Sequence, residues 1–322
     1  MTASTRQVDV EGLAQRARRG EPRAVARLIS LVENDPARRR EIARALVAGS
    51  GNAQVVGVTG SPGVGKSTTT AALIATLRKD DVRVGVLAVD PSSPFSGGAL
   101  LGDRVRMQDH ANDPGVFIRS MATRGHLGGL SAAVPQALRV LDGAGCDVVL
   151  VETVGVGQAE VEIASLADTT AVLLAPGMGD GIQAVKAGIL EVADLLVVNK
   201  ADRDGAEQVA RDLRAMQALG GRHSEPGGWR APIVMSVASR GEGIDDIQAA
   251  VAKHRDWLVR TGEMQRRREA RAAAEVEALA LESTRTQIAA LHGSAALPTL
   301  ARRVVAGELD PFEAADELLA AT

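Results

Sequence analysis

The sequence predicts an α/β protein: a mostly parallel β-sheet covered by helices on both faces, with a helical extension before it and a helical arm after it. Three observations predict this. Seven short β-branched runs lie between residues 55 and 236. They are apolar nearly throughout rather than alternating, which marks strands buried on both faces. Helical stretches separate them, and that alternation of strand and helix is the pattern of a parallel sheet.

Residues 1–50 read as helices. Val25, Leu28, Ile29 and Val32 fall at i, i+3, i+4 and i+7, on one helical face. Asp35-Pro36 supplies an N-cap and a proline at the first helical position. The segment carries 10 Arg against 6 acids, which reads as a solvated helical face rather than a polyanion-binding one.

The strand runs are Val55–Thr59, Arg83–Val89, Val116–Ser120, Val148–Glu152, Ala171–Ala175, Leu195–Val198 and Ile233–Ser236. The spacing places helices near 66–78, 128–142, 183–192, 204–219 and 243–259. After residue 260 the strands stop. Glu263 to His292 is one charged, Ala-rich helical stretch with a narrow apolar stripe of Ala273, Val276, Ala280, Ile288 and Leu291. Asp310-Pro311 starts a last short helix. So thin a stripe has two outlets, packing on its own domain or on a second copy of the chain. Three parts follow: a helical extension (1–50), an α/β domain (51–260) and a helical arm (261–322).

Composition excludes several classes. Hydrophobic residues make up 45% of the 322, enough for a real core, but aromatics are only 2%. The core must be built from Val, Leu, Ile and Ala, and stacking on single-stranded nucleic acid lacks its platforms. A net charge of −3 favours no polyanionic partner. The single Cys146 permits no disulfide framework and suits a reducing compartment. The polar N-terminus lacks the apolar segment of a signal peptide. No run reaches about 18 apolar residues, so no membrane span is expected. The expectation is a cytoplasmic protein without a nucleic-acid or membrane partner.

Gly60, Ser61, Pro62, Gly63, Val64, Gly65, Lys66 and Ser67 complete the pattern G-x-x-x-x-G-K-S, with Thr68 next in the helix they open. The motif follows a strand and precedes a helix, the context it requires, and makes the fold a P-loop NTPase. Glycines let successive backbone N–H groups turn toward phosphate oxygens, and the helix N-terminus adds its positive end. Lys66 is expected to reach the β- and γ-phosphates, and the Ser67 hydroxyl to ligate Mg²⁺.

The other Mg²⁺ candidates are acids. Glu152 ends the apolar run Val148–Glu152, and Gly155 follows where a switch glycine would let an N–H approach the γ-phosphate. Asp90 ends a second run, and Asp103 stands in Gly-Asp-Arg-Val-Arg-Met. One Ser with two or three carboxylates, some through water, fits an octahedral all-oxygen shell. Which of Asp90, Asp103 and Glu152 bind directly is open.

Asn199-Lys200-Ala-Asp202 follows the strand Leu195–Val198. Asp202 can accept from N1–H and the exocyclic amine of guanine; adenine offers no such donor pair and would leave the carboxylate desolvated. The Lys200 stem can cover the base. Ser236, Val237 and Ala238 end the next strand, where backbone N–H groups can meet the guanine carbonyl. Some GTPases place a water-orienting Gln directly after the switch glycine. Val156 stands there and Gln158 is displaced by two, so turnover is expected to be slow and to wait for a partner.

Taken together, residues 60–67, Ala-Val-Asp-Pro-Ser-Ser (88–93), 102–107, Glu-Thr-Val-Gly-Val-Gly-Gln (152–158), Pro-Gly-Met-Gly-Asp (176–180) and 199–202 resemble the MeaB/ArgK family. These are G-protein chaperones of cobalamin-dependent acyl-CoA mutases, chiefly methylmalonyl-CoA mutase. The resemblance spans nearly the whole chain. It implies a homodimer joined through the C-terminal arm, and a GTPase cycle that gates delivery of adenosylcobalamin and removal of damaged cofactor. It also implies an extra switch loop over Pro176–Gly188, with Lys186 as a contact residue. The family's paired aspartates in Gly-Asp-Asp-Ile-Gln are here Asp180-Gly181-Ile182-Gln183, so one carboxylate is missing. No cobalamin-ligating motif is evident, and no directly bound cobalamin is expected. A metal-insertion GTPase for a nickel enzyme is a second reading. It needs soft or imidazole ligands, whereas this chain has one Cys and five scattered His. A transport-linked kinase is a third; it would need an acceptor domain that the sequence does not show.

Overall fold

The structure, a computed structural model, describes residues 8–47, 49, 51–90, 107–110, 112–122, 133–153, 159–177, 192–219, 227–292 and 296–320. The chain forms two compact units, Met1–Met264 and Gln265–Thr322.

In the first unit three helices come first: α1 (Val10–Arg18), α2 (Pro22–Asn34) and α3 (Pro36–Leu46). Seven strands then alternate with helices: β1 (Gln54–Gly60), α4 (Lys66–Lys79), β2 (Val84–Asp90), β3 (Val116–Ala122), α5 (Ala133–Gly143), β4 (Val148–Thr153), α6 (Ala159–Leu166), β5 (Thr169–Leu174), β6 (Leu195–Asn199), α7 (Ala206–Leu219), β7 (Ile233–Ser236) and α8 (Ile244–Thr261). The sheet order is β3-β2-β4-β1-β5-β6-β7, and every neighbouring pair is parallel. All carboxyl ends therefore lie along one edge, where open α/β sheets hold ligands.

The continuous apolar strands are buried on both faces, as their composition requires. In β4, Val149 and Val151 enter one core with α2, α5 and Ile163 of α6, while Leu150 enters the opposite core with Leu73 and Ile74 of α4 and Ile247 of α8. A third cluster packs Ala210 and Leu213 of α7 against Val172, Leu196 and Val198. The face expected for α2 is the one buried: Val25, Leu28, Ile29 and Val32 all lie in the first core. Helix α2 also meets the sheet edge through polar groups, with Arg119 donating to Ser30 Oγ at 2.8 Å and lying 3.8 Å from Glu33.

Several expectations are corrected. Asp35 stands at the N-cap of α3 with Pro36 in the first turn, as expected, but its side chain makes no capping bond; its Oδ2 accepts from Arg38 Nε at 2.9 Å instead. Strand β5 starts at Thr169, two residues early, because buried Thr169 and Thr170 find partners: the Thr169 hydroxyl lies 2.9 Å from His254 Nδ1, and Asp194 Oδ2 accepts from Thr170 N. Helix α6 was not expected. The helix near 183–192 falls almost wholly outside the described residues. Burial pushes the Cys146 thiol up to about 12, so it behaves as a small apolar filler rather than a nucleophile.

The second unit is helical. Helix α9 spans Glu263–His292, followed by α10 (Ala296–Val305), which the sequence reading omitted, and α11 (Pro311–Ala320). Asp310 Oδ1 accepts from the backbone N–H of Phe312 and Glu313, so this aspartate caps its helix. Arg303 of α10 pairs with Glu317 of α11 at 2.6 Å. Val276, Leu281, Val305 and Phe312 are exposed. Among the described residues no helix is long and apolar enough to cross a membrane.

Candidate functional site

The loop after β1 turns back sharply and delivers the chain to α4. Gly60 sits at φ +139°, and a Cβ there would lie 2.3 Å from the Leu173 carbonyl oxygen in the neighbouring strand. Gly65 sits at φ +97°, and its Cβ would lie 2.3 Å from Asn199 Nδ2. Side chains at either point would force the loop off the sheet. Lys66 folds over this loop, donating from Nζ to the carbonyls of Gly60 (2.7 Å) and Ser61 (3.0 Å). These carbonyls hold the ammonium at the mouth of the loop.

Glu152 reaches the same place from β4. The register pairs it with Val58, so its carboxylate lies beside the first turn of α4. Ser67 Oγ donates to Glu152 Oε1 at 2.5 Å, and both residues are buried. Thr59 and Thr153, one position further along each strand, bring their hydroxyls to 3.2 Å. The result is an oxygen-rich wall at a helix N-terminus, the donor chemistry a hard divalent cation takes. Asp90 is the last residue of β2, paired with Ala122 of β3 on the same sheet edge. Thr68 occupies the first turn of α4. Asp103, Gly155, Val156, Gln158 and Lys186 lie outside the described residues, as does Pro176–Gly188 beyond Gly177.

The second half is built around Asn199, the last residue of β6. Its Nδ2 donates to the Val64 carbonyl at 2.8 Å; its Oδ1 accepts from Ala238 N (3.1 Å) and Ser236 Oγ (3.2 Å). One buried amide thus ties the phosphate loop to the loop after β7. Lys200 adopts φ +57°, a conformation costly for a side chain other than Gly. There its Nζ donates to the Gly63 carbonyl at 2.6 Å, a second tie to the same loop. Asp202 lies beyond, its Oδ2 3.3 Å from Arg240 Nη2. The N–H groups of Val237 and Ala238 are engaged by the Glu242 carbonyl (3.0 Å) and Asn199 Oδ1. A guanine carbonyl meets them only by sharing or replacing those bonds.

The candidate residues thus form one row along the carboxyl edge, from Glu152 through the phosphate loop to Asn199, Asp202 and Ser236. Sequence reasoning missed three participants: Thr59, which read as a strand residue, Thr153, which fell just past the strand run in the 152–158 motif, and Arg240. Arg240 carries a faint signal, a lone cation ahead of Gly241 and Gly243, and only the fold shows what it faces.

A family model described as "Methylmalonyl Co-A mutase-associated GTPase MeaB" matches residues 25–292. The chain belongs to the MeaB family of GTPases. A MeaB-family chain binds guanine nucleotide and hydrolyses GTP. Relatives agree over nearly full length. A GTPase of Pyrococcus abyssi is 46% identical over 310 residues, covering 96% of each chain. The mouse "Methylmalonic aciduria type A homolog, mitochondrial" is 34% identical, covering 94% of this chain and 77% of that one. A solved structure described as a LAO/AO transport system kinase superposes with a TM-score of 0.69 at 26% identity, covering 99% of this MeaB-family chain and 98% of the other.

Proposed function

We propose that this GTPase is a homodimeric cytoplasmic chaperone of an adenosylcobalamin-dependent acyl-CoA mutase, with methylmalonyl-CoA mutase as the client. GTP binding and hydrolysis gate cofactor loading and the removal of damaged cofactor. The observation that carries this reading is the mutase-associated family model, which matches residues 25–292 and so takes in the whole nucleotide site. The mouse relative's printed name, tied to methylmalonic aciduria, points to the same chemistry.

In this reading the Lys66 ammonium exchanges the Gly60 and Ser61 carbonyls for β- and γ-phosphate oxygens. Backbone N–H groups of Ser61 and of Gly63 to Thr68, with Pro62 between them offering none, cradle the same phosphates. Ser67 and Glu152, with Asp90 and Asp103, would hold Mg²⁺, which would supply positive charge to offset that developing on the phosphates. Asp202 accepts from the guanine edge. Water attacks the γ-phosphorus, the bond to the β,γ-bridging oxygen breaks, and GDP and phosphate leave. With Val156 where other GTPases carry Gln, the chain alone positions that water poorly, and the client completes the site. Cobalamin itself stays with the mutase. The C-terminal arm joins the two copies.

The test is the steady-state GTP hydrolysis rate of the purified protein, with and without the mutase of the same organism. The expected result is slow basal turnover that rises about tenfold or more with the mutase. An unchanged rate, with no co-elution of the two proteins, removes the mutase as client.

A further inference from the structure

Asp202 and Arg240 come from two different loops, yet their side chains meet at 3.3 Å. Both backbones are fixed where they meet. Ala238–Arg240 is a single 3₁₀ turn, closed by Arg240 N to the Val237 carbonyl (2.9 Å) and Gly241 N to the Ala238 carbonyl (3.2 Å). The loop is pinched shut by Val237 N on the Glu242 carbonyl. Gly243 then passes so near the strand that a Cβ would lie 2.2 Å from the Met235 carbonyl oxygen. On the other side, Ala201 N donates to the Ser236 carbonyl and Arg203 N to the Lys200 carbonyl, at 2.9 and 3.0 Å. Glu242 Oε1, 4.0 Å from Arg240 Nη1, flanks the guanidinium from behind.

We propose that Arg240 is a positioning residue for guanine recognition, holding the Asp202 carboxylate in the plane that a base edge needs. The inference rests on the reading of Asp202 as the guanine acceptor. A carboxylate rotates easily about its terminal torsion, and Asp202 is partly exposed, so little else sets its plane. Two parallel donors on a base edge demand that both oxygens face them at once. A carboxylate has about four lone-pair sites, so Oδ2 can accept from Arg240 and still accept from the base. The guanidinium at 3.3 Å biases that oxygen's direction, and its planar head is stiffer than a lysine's mobile point charge.

The experiment measures GDP and IDP dissociation constants for the full-length protein and for Arg240→Ala, Arg240→Lys and Asp202→Asn. IDP lacks the exocyclic amine and keeps the N1–H bond alone, so the GDP/IDP ratio reports the bond to the amine. Arg240→Ala should weaken GDP about two- to fivefold, the scale of an exposed ion pair, and IDP by less, so the GDP/IDP ratio contracts. Arg240→Lys should recover part of the ratio. Asp202→Asn should abolish it. If Asp202→Asn keeps the GDP preference, the reading of Asp202 fails. If that variant loses the preference while Arg240→Ala leaves the ratio unchanged, or lowers both affinities equally, Arg240 merely supports its loop and the inference is overturned.

Discussion

The Ser67 hydroxyl and the Glu152 carboxylate stand 2.5 Å apart, joining the first turn of α4 to the end of β4. Both are hard oxygen donors at a helix N-terminus, and both would serve Mg²⁺ as ligands. Glu152→Gln should lower kcat roughly 10- to 100-fold and raise the Mg²⁺ concentration giving half-maximal rate, the scale seen when a group orienting a metal is lost. A magnesium titration of GTP hydrolysis reads both. An unchanged magnesium dependence would place Glu152 away from the metal.

Asn199→Ala removes one amide that serves three partners and leaves the Val64 carbonyl and Ala238 N–H without it. Each buried group so orphaned costs about 1–3 kcal/mol. The variant should melt several degrees lower, and it should release GDP faster than wild type because both loops loosen together. Differential scanning calorimetry and a stopped-flow release assay give the two numbers.

Leu28 is wholly buried where α2 meets the sheet-facing core. Leu28→Ala should destabilise the first unit by about 2–5 kcal/mol. Urea unfolding followed by circular dichroism measures this. A cost under about 0.5 kcal/mol would mean that the N-terminal helices contribute little to the core.

The Arg78 guanidinium, hydrogen-bonded at 2.9 Å, and the Gly115 N–H hold the Asp113 carboxyl below its usual range. A depressed folded value means the stabilisation is complete above the unfolded carboxylate value of about 3.9 and is lost as pH falls through the folded one. Asp113→Asn should therefore lower stability at neutral pH and flatten the loss of stability on the acid side. Thermal melts between neutral and strongly acidic pH test it; parallel curves for the two proteins would refute the assignment.

Val276 and Leu281 of α9 are exposed, at 66% and 53%. If the arm joins two copies of the chain, Val276→Glu with Leu281→Glu should convert a dimer to a monomer without lowering the melting point of the first unit. Light scattering reads the mass. A dimer that survives the pair of charges would send the interface elsewhere.

Much of the architecture was legible because burial on both faces leaves a mark that needs no partner: a run such as Val148–Val151 can hardly be anything but a central strand. Thr169 and Thr170 were illegible for the converse reason. They look like exposed polar residues in sequence, but the Thr169 hydroxyl meets His254 and Gln54, and Asp194 takes the Thr170 backbone N–H, all distant in the chain. Helices α6 and α10 were missed, whereas the equally short α11 was announced by Asp310-Pro311. The phosphate loop was legible since its chemistry is local. The base-side residues were named from their motif, but not how they are held: Asn199 meets a carbonyl 135 residues earlier and an N–H 39 residues later, and no spacing rule announces either.

The two ties from Asn199 and Lys200 to the carbonyls of Val64 and Gly63 couple the Asn199 strand end to the phosphate loop, so that in the proposed site the base end and the phosphate end act as one body. A nucleotide therefore meets the protein as a chelate. Whichever end lands first fixes the local concentration of the other, so guanosine and pyrophosphate offered separately gain none of the advantage that their covalent union enjoys. A partner that worked one of those ties loose would weaken grip on the whole nucleotide while touching neither its base nor its phosphates.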